Sequence, residues 1–211
     1  MNRQDGTQRP YDVILFGATG FVGVLTAEYL AAHAPEGCRW ALAGRSREKL
    51  EHLRERLAAI RPQCADVPLV CADADDPEAL GELARSAHVV ASTVGPYLLY
   101  GEKLVAACAD AGTDYADLTG ESEFVDRMYL EHDARARETG ARLVHSCGFD
   151  SVPHDLGVFF TVNRLPRAMP LTVDGFVRSN AVFSGGTFAS ALTVMGRGPQ
   201  MLRAARQRRL H

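Results

Sequence analysis

The segment ILFGATGFVG, residues 14–23, constrains this chain more than any other. An apolar run of strand type breaks into glycines at Gly17, Gly20 and Gly23 and resumes at once as an apolar helix. Such a junction has a physical purpose. Gly17 permits a tight exit from the strand, Gly20 lets backbone approach a pyrophosphate with no Cβ in the way, and Gly23 lets the helix pack close to the sheet. The helix start, at Phe21 and Val22, offers unpaired N–H groups and a partial positive charge. Thr19 can add a hydroxyl to the same phosphate. With an apolar strand before it, a helix after it and a second strand one crossover later, the segment predicts a dinucleotide site rather than a bare turn.

Strand and helix signals then alternate from residue 11 to about 160. Strands are expected at 11–17, 39–45, 67–73, 88–95, 113–120 and 141–148, and helices at 21–34, 46–60, 76–87, 101–111, 122–140 and 151–165. The clearest helix carries Leu50, Leu53, Leu57 and Ile60 on one face. Ser46, Asp76 and Ser122 stand where helix caps belong, and Gly140 where a helix stops. The strands are unbroken apolar runs, as strands buried on both faces should be. The expected fold is therefore α/β, a doubly wound parallel sheet of the Rossmann type, over residues 11–166.

Residues 1–10, MNRQDGTQRP, are polar and read as a disordered leader, not a targeting signal. After Pro166 the pattern changes. Residues 170–180 alternate apolar and polar side chains, as a half-exposed antiparallel strand does, and 184–209 reads as helical. Only about 40 residues remain, too few for a core of their own. Residues 167–211 are expected to begin a second, mixed α/β domain for substrate or dimer contacts, cut short here.

The end of the second strand selects the nucleotide. An NAD site has Asp or Glu there, accepting from the ribose hydroxyls. Here the strand ends AGRSREK, with no carboxylate before Glu48. Gly44, Arg45 and Ser46 at that point suit a ribose 2′-phosphate, so NADP(H) is the expected cofactor. Arg47 and Lys49 read as a solvated first helical turn. Asp73, ending the third strand, is a hydrogen-bond partner for the adenine amino group. Thr93, Val94, Gly95 and Pro96, ending the fourth, are expected to wall the nicotinamide side, since such sheets bind ligands at their carboxyl edge.

The catalytic residues are less sharply marked. No tyrosine has a lysine four residues on, which disfavours short-chain dehydrogenase chemistry, and GFDS is no nucleophile elbow. The richest polar patch is HSCGFDSVPHDLG, 145–157. Asp150 and His154 lie four apart across a helix start, a spacing that allows a hydrogen-bonded acid–base pair; the alternative is that Asp150 or Ser151 caps the helix and His154 is a half-buried surface histidine. Tyr97 and Glu121 are further candidates, each read more readily as structural than as catalytic.

Composition limits the partners. Hydrophobic residues make up 46% and charged residues 23%, with a net charge of −3, which excludes an ordinary nucleic-acid binder. The basic tail RAARQRRLH has no interleaved aromatics. No apolar run reaches the roughly 18 residues of a membrane span, which leaves only peripheral membrane contact open. The five cysteines, Cys38, Cys64, Cys71, Cys108 and Cys147, form no C-x-x-C. Free thiols in the cytoplasm are expected, and no metal.

Taken in order, GATGFVG, LAGR, STVGPY, YADLTGE, CGFDSVPHDLG and GFVRSNAVFSGGTFASAL resemble the saccharopine dehydrogenase-like oxidoreductases, most of all their trans-acting enoyl reductase branch in actinobacterial lipid and polyketide pathways. The likeness spans nearly all of residues 11–200. It implies a Rossmann domain, a second domain completing the substrate cleft, NADPH as hydride donor and a parent about twice this length. The expected activity is reduction of a C=C or C=O bond in a lipid-like small molecule by a homo-oligomer. A non-catalytic NADP-binding module and a saccharopine-type amino-acid dehydrogenase are the alternatives.

Overall fold

Along β1 (Tyr11–Phe16) alternate side chains enter two different cores, so the strand must lie inside a sheet covered on both faces. The computed structural model describes residues 9–166, 170–178, 180 and 185–211. Its sheet is wholly parallel, in the order β3-β2-β1-β4-β5-β6. The other strands are β2 (Trp40–Gly44), β3 (Leu69–Cys71), β4 (Ala87–Ser92), β5 (Asp114–Asp117) and β6 (Leu143–Val144).

Leu15 and Leu42 face α1 (Phe21–His33) and α2 (Arg47–Ile60), whose Ala27, Ala31, Leu50, Leu53 and Leu57 close that side. Ile14, Phe16, Val90 and Tyr115 face the opposite layer. There Leu80 and Leu83 come from α3 (Pro77–Ser86), Leu104 and Cys108 from α5 (Glu102–Ala111), and Phe124 and Met128 from α6 (Ser122–Thr139). A four-residue helix, α4 (Tyr97–Tyr100), precedes α5. The expected doubly wound sheet is thus present.

Helix ends follow local chemistry. Ser46 Oγ accepts from Lys49 N (3.4 Å), and Asp76 accepts from Glu78 N and Ala79 N. Gly140 ends α6 with φ +80°, a conformation that disfavours a side chain. Ser122 is not a cap. It is the first helical residue of α6, and the capping position belongs to Glu121. Ile60, the last residue of α2, is 45% exposed, while Leu50, Leu53 and Leu57 are buried.

Residues 1–8 of the expected leader and 167–169 at the expected boundary lie outside the described residues. Arg9 already belongs to the fold, donating to the carbonyl oxygens of Ala87 and Ala111. α7 (Val152–Val162) forms as read, but its Leu156, Phe159 and Phe160 are exposed. Residues 170–178 form no strand. Among the described residues no strand pairs with them, and alternation alone does not make a strand without a partner. The helical stretch beyond is two helices, α8 (Gly185–Met195) and α9 (Gly198–Leu210), broken at Gly196 and Arg197. α9 lies along α6 through Arg197–Glu123 (2.6 Å) and Arg208–Asp126 (2.7 Å). Arg197 holds the Glu123 carboxyl below its ordinary range.

The turn between β1 and α1 tolerates little. A Cβ on Gly23 would lie 2.1 Å from Gly17 O and 2.8 Å from Ala18 backbone, and neither can step aside as a flexible side chain would. Gly23→Ala should cost about 1–3 kcal/mol of unfolding free energy in urea titration, the range for overfilled cores. On α2, Leu57→Ala should cost about 2–5 kcal/mol, and Ile60→Ala about 0.5 kcal/mol or less. Equal losses at the two α2 sites would refute the burial assignment.

Candidate functional site

The central strands bring three loops together at their carboxyl ends. Gly17 N and Ala18 N donate to Ala43 O (2.9 and 3.1 Å), which fixes the glycine turn to β2. Thr93 N donates to Phe16 O, and Thr93 Oγ1 reaches Phe16 O and Gly17 O, which fixes the β4 loop to the same turn. Gly17 has φ +83°, and a Cβ there would stand 2.6 Å from Val94 Cγ2. The two loops can approach this closely only because residue 17 is glycine.

Between them opens a cleft of about 400 Å³. Of the residues read as cofactor-binding, Gly17, Thr19, Gly20, Gly44, Arg45, Asp73, Thr93, Val94 and Gly95 line it. Phe21, Val22 and Gly23 stand behind it in the first turn of α1, with Phe21 72% exposed. Ser46 lies one residue beyond Arg45, with its hydroxyl capping α2, and Pro96 follows Gly95. The reading of separate strands missed Phe16, Ala72, Ala74, Asp75 and Tyr100, which complete the lining.

The polar groups of the cleft suit an anionic ligand. The first helical bond of α1 runs from Val24 N to Gly20 O, so the N–H groups of Phe21, Val22 and Gly23 have no partner within the helix. No side chain caps that end. A diphosphate placed there meets donors and the positive end of a helix dipole. A Cβ on Gly44 would lie 3.9 Å from Thr19 Oγ1, which puts that hydroxyl beside the end of β2. Arg45 is exposed and forms no ion pair with a described residue, whereas Arg47 is engaged by Glu51 (3.1 Å). Asp73 Oδ1 accepts from Asp75 N, and Lys103 Nζ holds Asp75 (2.7 Å). These donors, the bare backbone and the free guanidinium fit a dinucleotide bearing a 2′-phosphate.

The catalytic candidates are placed differently from expectation. Asp150 and His154 share no hydrogen bond. α7 starts only at Val152, so the four-residue spacing does not stack them on one face. The Asp150 carboxylate instead lies over Gly148 and Gly120, and the His154 ring meets Phe149 edge-on at 6.0 Å. Tyr97 is buried, and its hydroxyl donates to Ser92 O (3.1 Å). Burial, with Asp117 nearby, holds that phenol far above its usual range.

A pair that spacing did not reveal lies at the ends of β5 and β6. His145 Nδ1 is 2.7 Å from Asp117 Oδ2, and Asp117 Oδ1 accepts from Ser146 N and Thr119 N. The imidazole sits between the rings of Tyr115 and Phe124. The only signal in the sequence was position: Asp117 ends β5 and His145 directly follows β6, both at the carboxyl edge.

Comparison with known proteins agrees with this geometry. The family described as "Saccharopine dehydrogenase NADP binding domain" matches residues 13–144. A trans-acting enoyl reductase of Mycobacterium tuberculosis (strain ATCC 25618 / H37Rv) is 53% identical over 152 residues, 72% of this chain and 35% of that protein. A second protein of that strain, provisionally given the same name, is 50% identical over 193 residues, 90% of this chain and 45% of its own length. The chain thus spans less than half the length of these relatives. Apo saccharopine dehydrogenase (L-Glu forming) from Saccharomyces cerevisiae superposes with a TM-score of 0.54 at 19% identity, over 73% of this chain and 31% of that one, a likeness of fold. The chain belongs to the saccharopine dehydrogenase NADP-binding domain family, and its cofactor is NADP(H).

Proposed function

We propose that the protein carrying this chain is an NADPH-dependent oxidoreductase that reduces an enoyl or keto group of a lipid or polyketide-type substrate. The observation that carries the cofactor half is Arg45, exposed and without an ion pair among the described residues, at the carboxylate-free end of β2 beside the anion-ready start of α1. The trans-acting enoyl reductases at 50–53% identity support the reaction class.

Each wall of the cleft then has a task. The N–H groups at the start of α1, with Thr19, receive the diphosphate. Arg45 and Ser46 receive the 2′-phosphate, where a guanidinium offers paired donors and an acid would repel. The Asp73 oxygen not taken by Asp75 faces the adenine side. Thr93, Val94, Gly95 and Pro96 flank the nicotinamide. NADPH, when bound, supplies a hydride; the protein supplies its orientation. The proton comes from Asp150 or His154 acting singly. Neither side chain is held by a hydrogen bond to a described residue, while the Tyr97 hydroxyl is committed to Ser92.

Arg45→Asp should weaken NADPH binding about 100-fold, equivalent to about 2.7 kcal/mol, and leave NADH within about threefold. Calorimetry with both nucleotides reads this, and equal losses would defeat the 2′-phosphate assignment. The full-length protein should consume NADPH when offered enoyl or keto thioesters. Tight binding without turnover on such a panel would identify a non-catalytic NADP module instead.

A further inference from the structure

Glu121 is a carboxylate 1% exposed to solvent, and it lies at the centre of a network that the cleft does not show. Its Oε1 accepts from Tyr97 N (2.9 Å) and its Oε2 from Leu98 N (2.8 Å). Those are the first two N–H groups of α4, which no helical carbonyl can satisfy and which no nearby side chain caps. A residue more than twenty positions later therefore caps this helix across space. α4 follows Gly95 and Pro96 directly, so whatever holds Tyr97 and Leu98 also sets where Thr93, Val94 and Gly95 face the cleft.

Glu121 is itself rigidly placed. Its N–H donates to Thr119 Oγ1 (3.1 Å), Thr119 N donates to Asp117 Oδ1 (3.0 Å), and Asp117 ends β5 beside Ser92 of β4. A third donor arrives from outside the sheet domain: Ser190 Oγ of α8 bonds Oε1 at 2.8 Å. One carboxylate thus joins the β4 loop, the end of β5 and α8.

We propose that Glu121 is a positioning residue for the nicotinamide half of the cofactor, and that Ser190 makes its hold depend on α8. The inference rests on the NADP(H) reading above and adds a control to it. Docking of α8 tightens the β4 loop, and release of α8 removes one of the donors that orient the carboxylate. Among the described residues Glu121 bonds neither the α1 start nor Arg45, which hold the adenosine half; the β4 loop reaches the glycine turn through Thr93.

The test compares NADPH with adenosine 2′,5′-bisphosphate, which lacks the nicotinamide, by calorimetry on the same chain. Glu121→Gln keeps the shape but offers only one acceptor oxygen and turns an amide N–H₂ toward a donor. It should weaken NADPH about tenfold and the bisphosphate less than about twofold. Ser190→Ala, on a half-buried helix face, should weaken NADPH about threefold and add nothing in the Glu121→Gln background, because the two act through one network. If Glu121→Gln fails to fold, Ser190→Ala alone carries the comparison. Equal weakening of both ligands would mean general destabilisation and overturn the inference, as would Ser190→Ala binding NADPH like the parent. Parent protein that binds neither ligand would overturn the cofactor reading first and this inference with it.

Discussion

The contact on which this molecule depends is one between backbones. α1 begins so close to the end of β1 that its third residue, Gly23, rests against Gly17 O and Ala18. No side chain fits between them. That approach aims the free N–H groups of α1 over the carboxyl ends of the central strands, and every other element of the cleft is tied to it. β2 holds the turn through Ala43 O, and β4 holds it through Thr93. On the proposed reading, anion binding here follows from helix geometry; the sequence needed only to omit Cβ atoms where the chain crowds itself.

Much of this was legible in advance because it is local. The glycine spacing, the apolar strands and the i, i+3, i+4 leucines of α2 each report on neighbours within one or two turns, and the sheet follows from their alternation. Features set by distant partners were not legible. The cap of α4 comes from Glu121, so nothing near Tyr97 announces it. Asp150 and His154 had a suggestive spacing, yet the helix that would have aligned them starts too late. Residues 170–178 had the alternation of a strand, but a strand exists only with a partner. Ile60 shared the period of its face and still is half exposed, at the last position of α2.

The stretch from Thr113 to Asp126 buries an unusual set of acids for so short a segment, and each has a partner from a later part of the chain. Asp114 meets Arg142, Asp117 meets His145, Glu121 meets Ser190, Glu123 meets Arg197 and Asp126 meets Arg208. A buried carboxylate without a donor is costly. These acids therefore add fixed polar contacts to the apolar ones that seat β6 and α9, and one to α8. The same stretch is a polar seam between the sheet and the helices that follow it.

The separate anchoring of β2 and β4 on either side of β1 has an evolutionary consequence. On the proposed reading, the end of β2 decides which pyridine coenzyme is accepted, and the β4 loop decides how its reactive ring is presented. Arg45 shares no hydrogen bond with that loop. A lineage could exchange one coenzyme for the other through substitutions at a single strand end while the geometry of transfer stayed untouched, so that metabolic currency and reaction stereochemistry drift as independent traits.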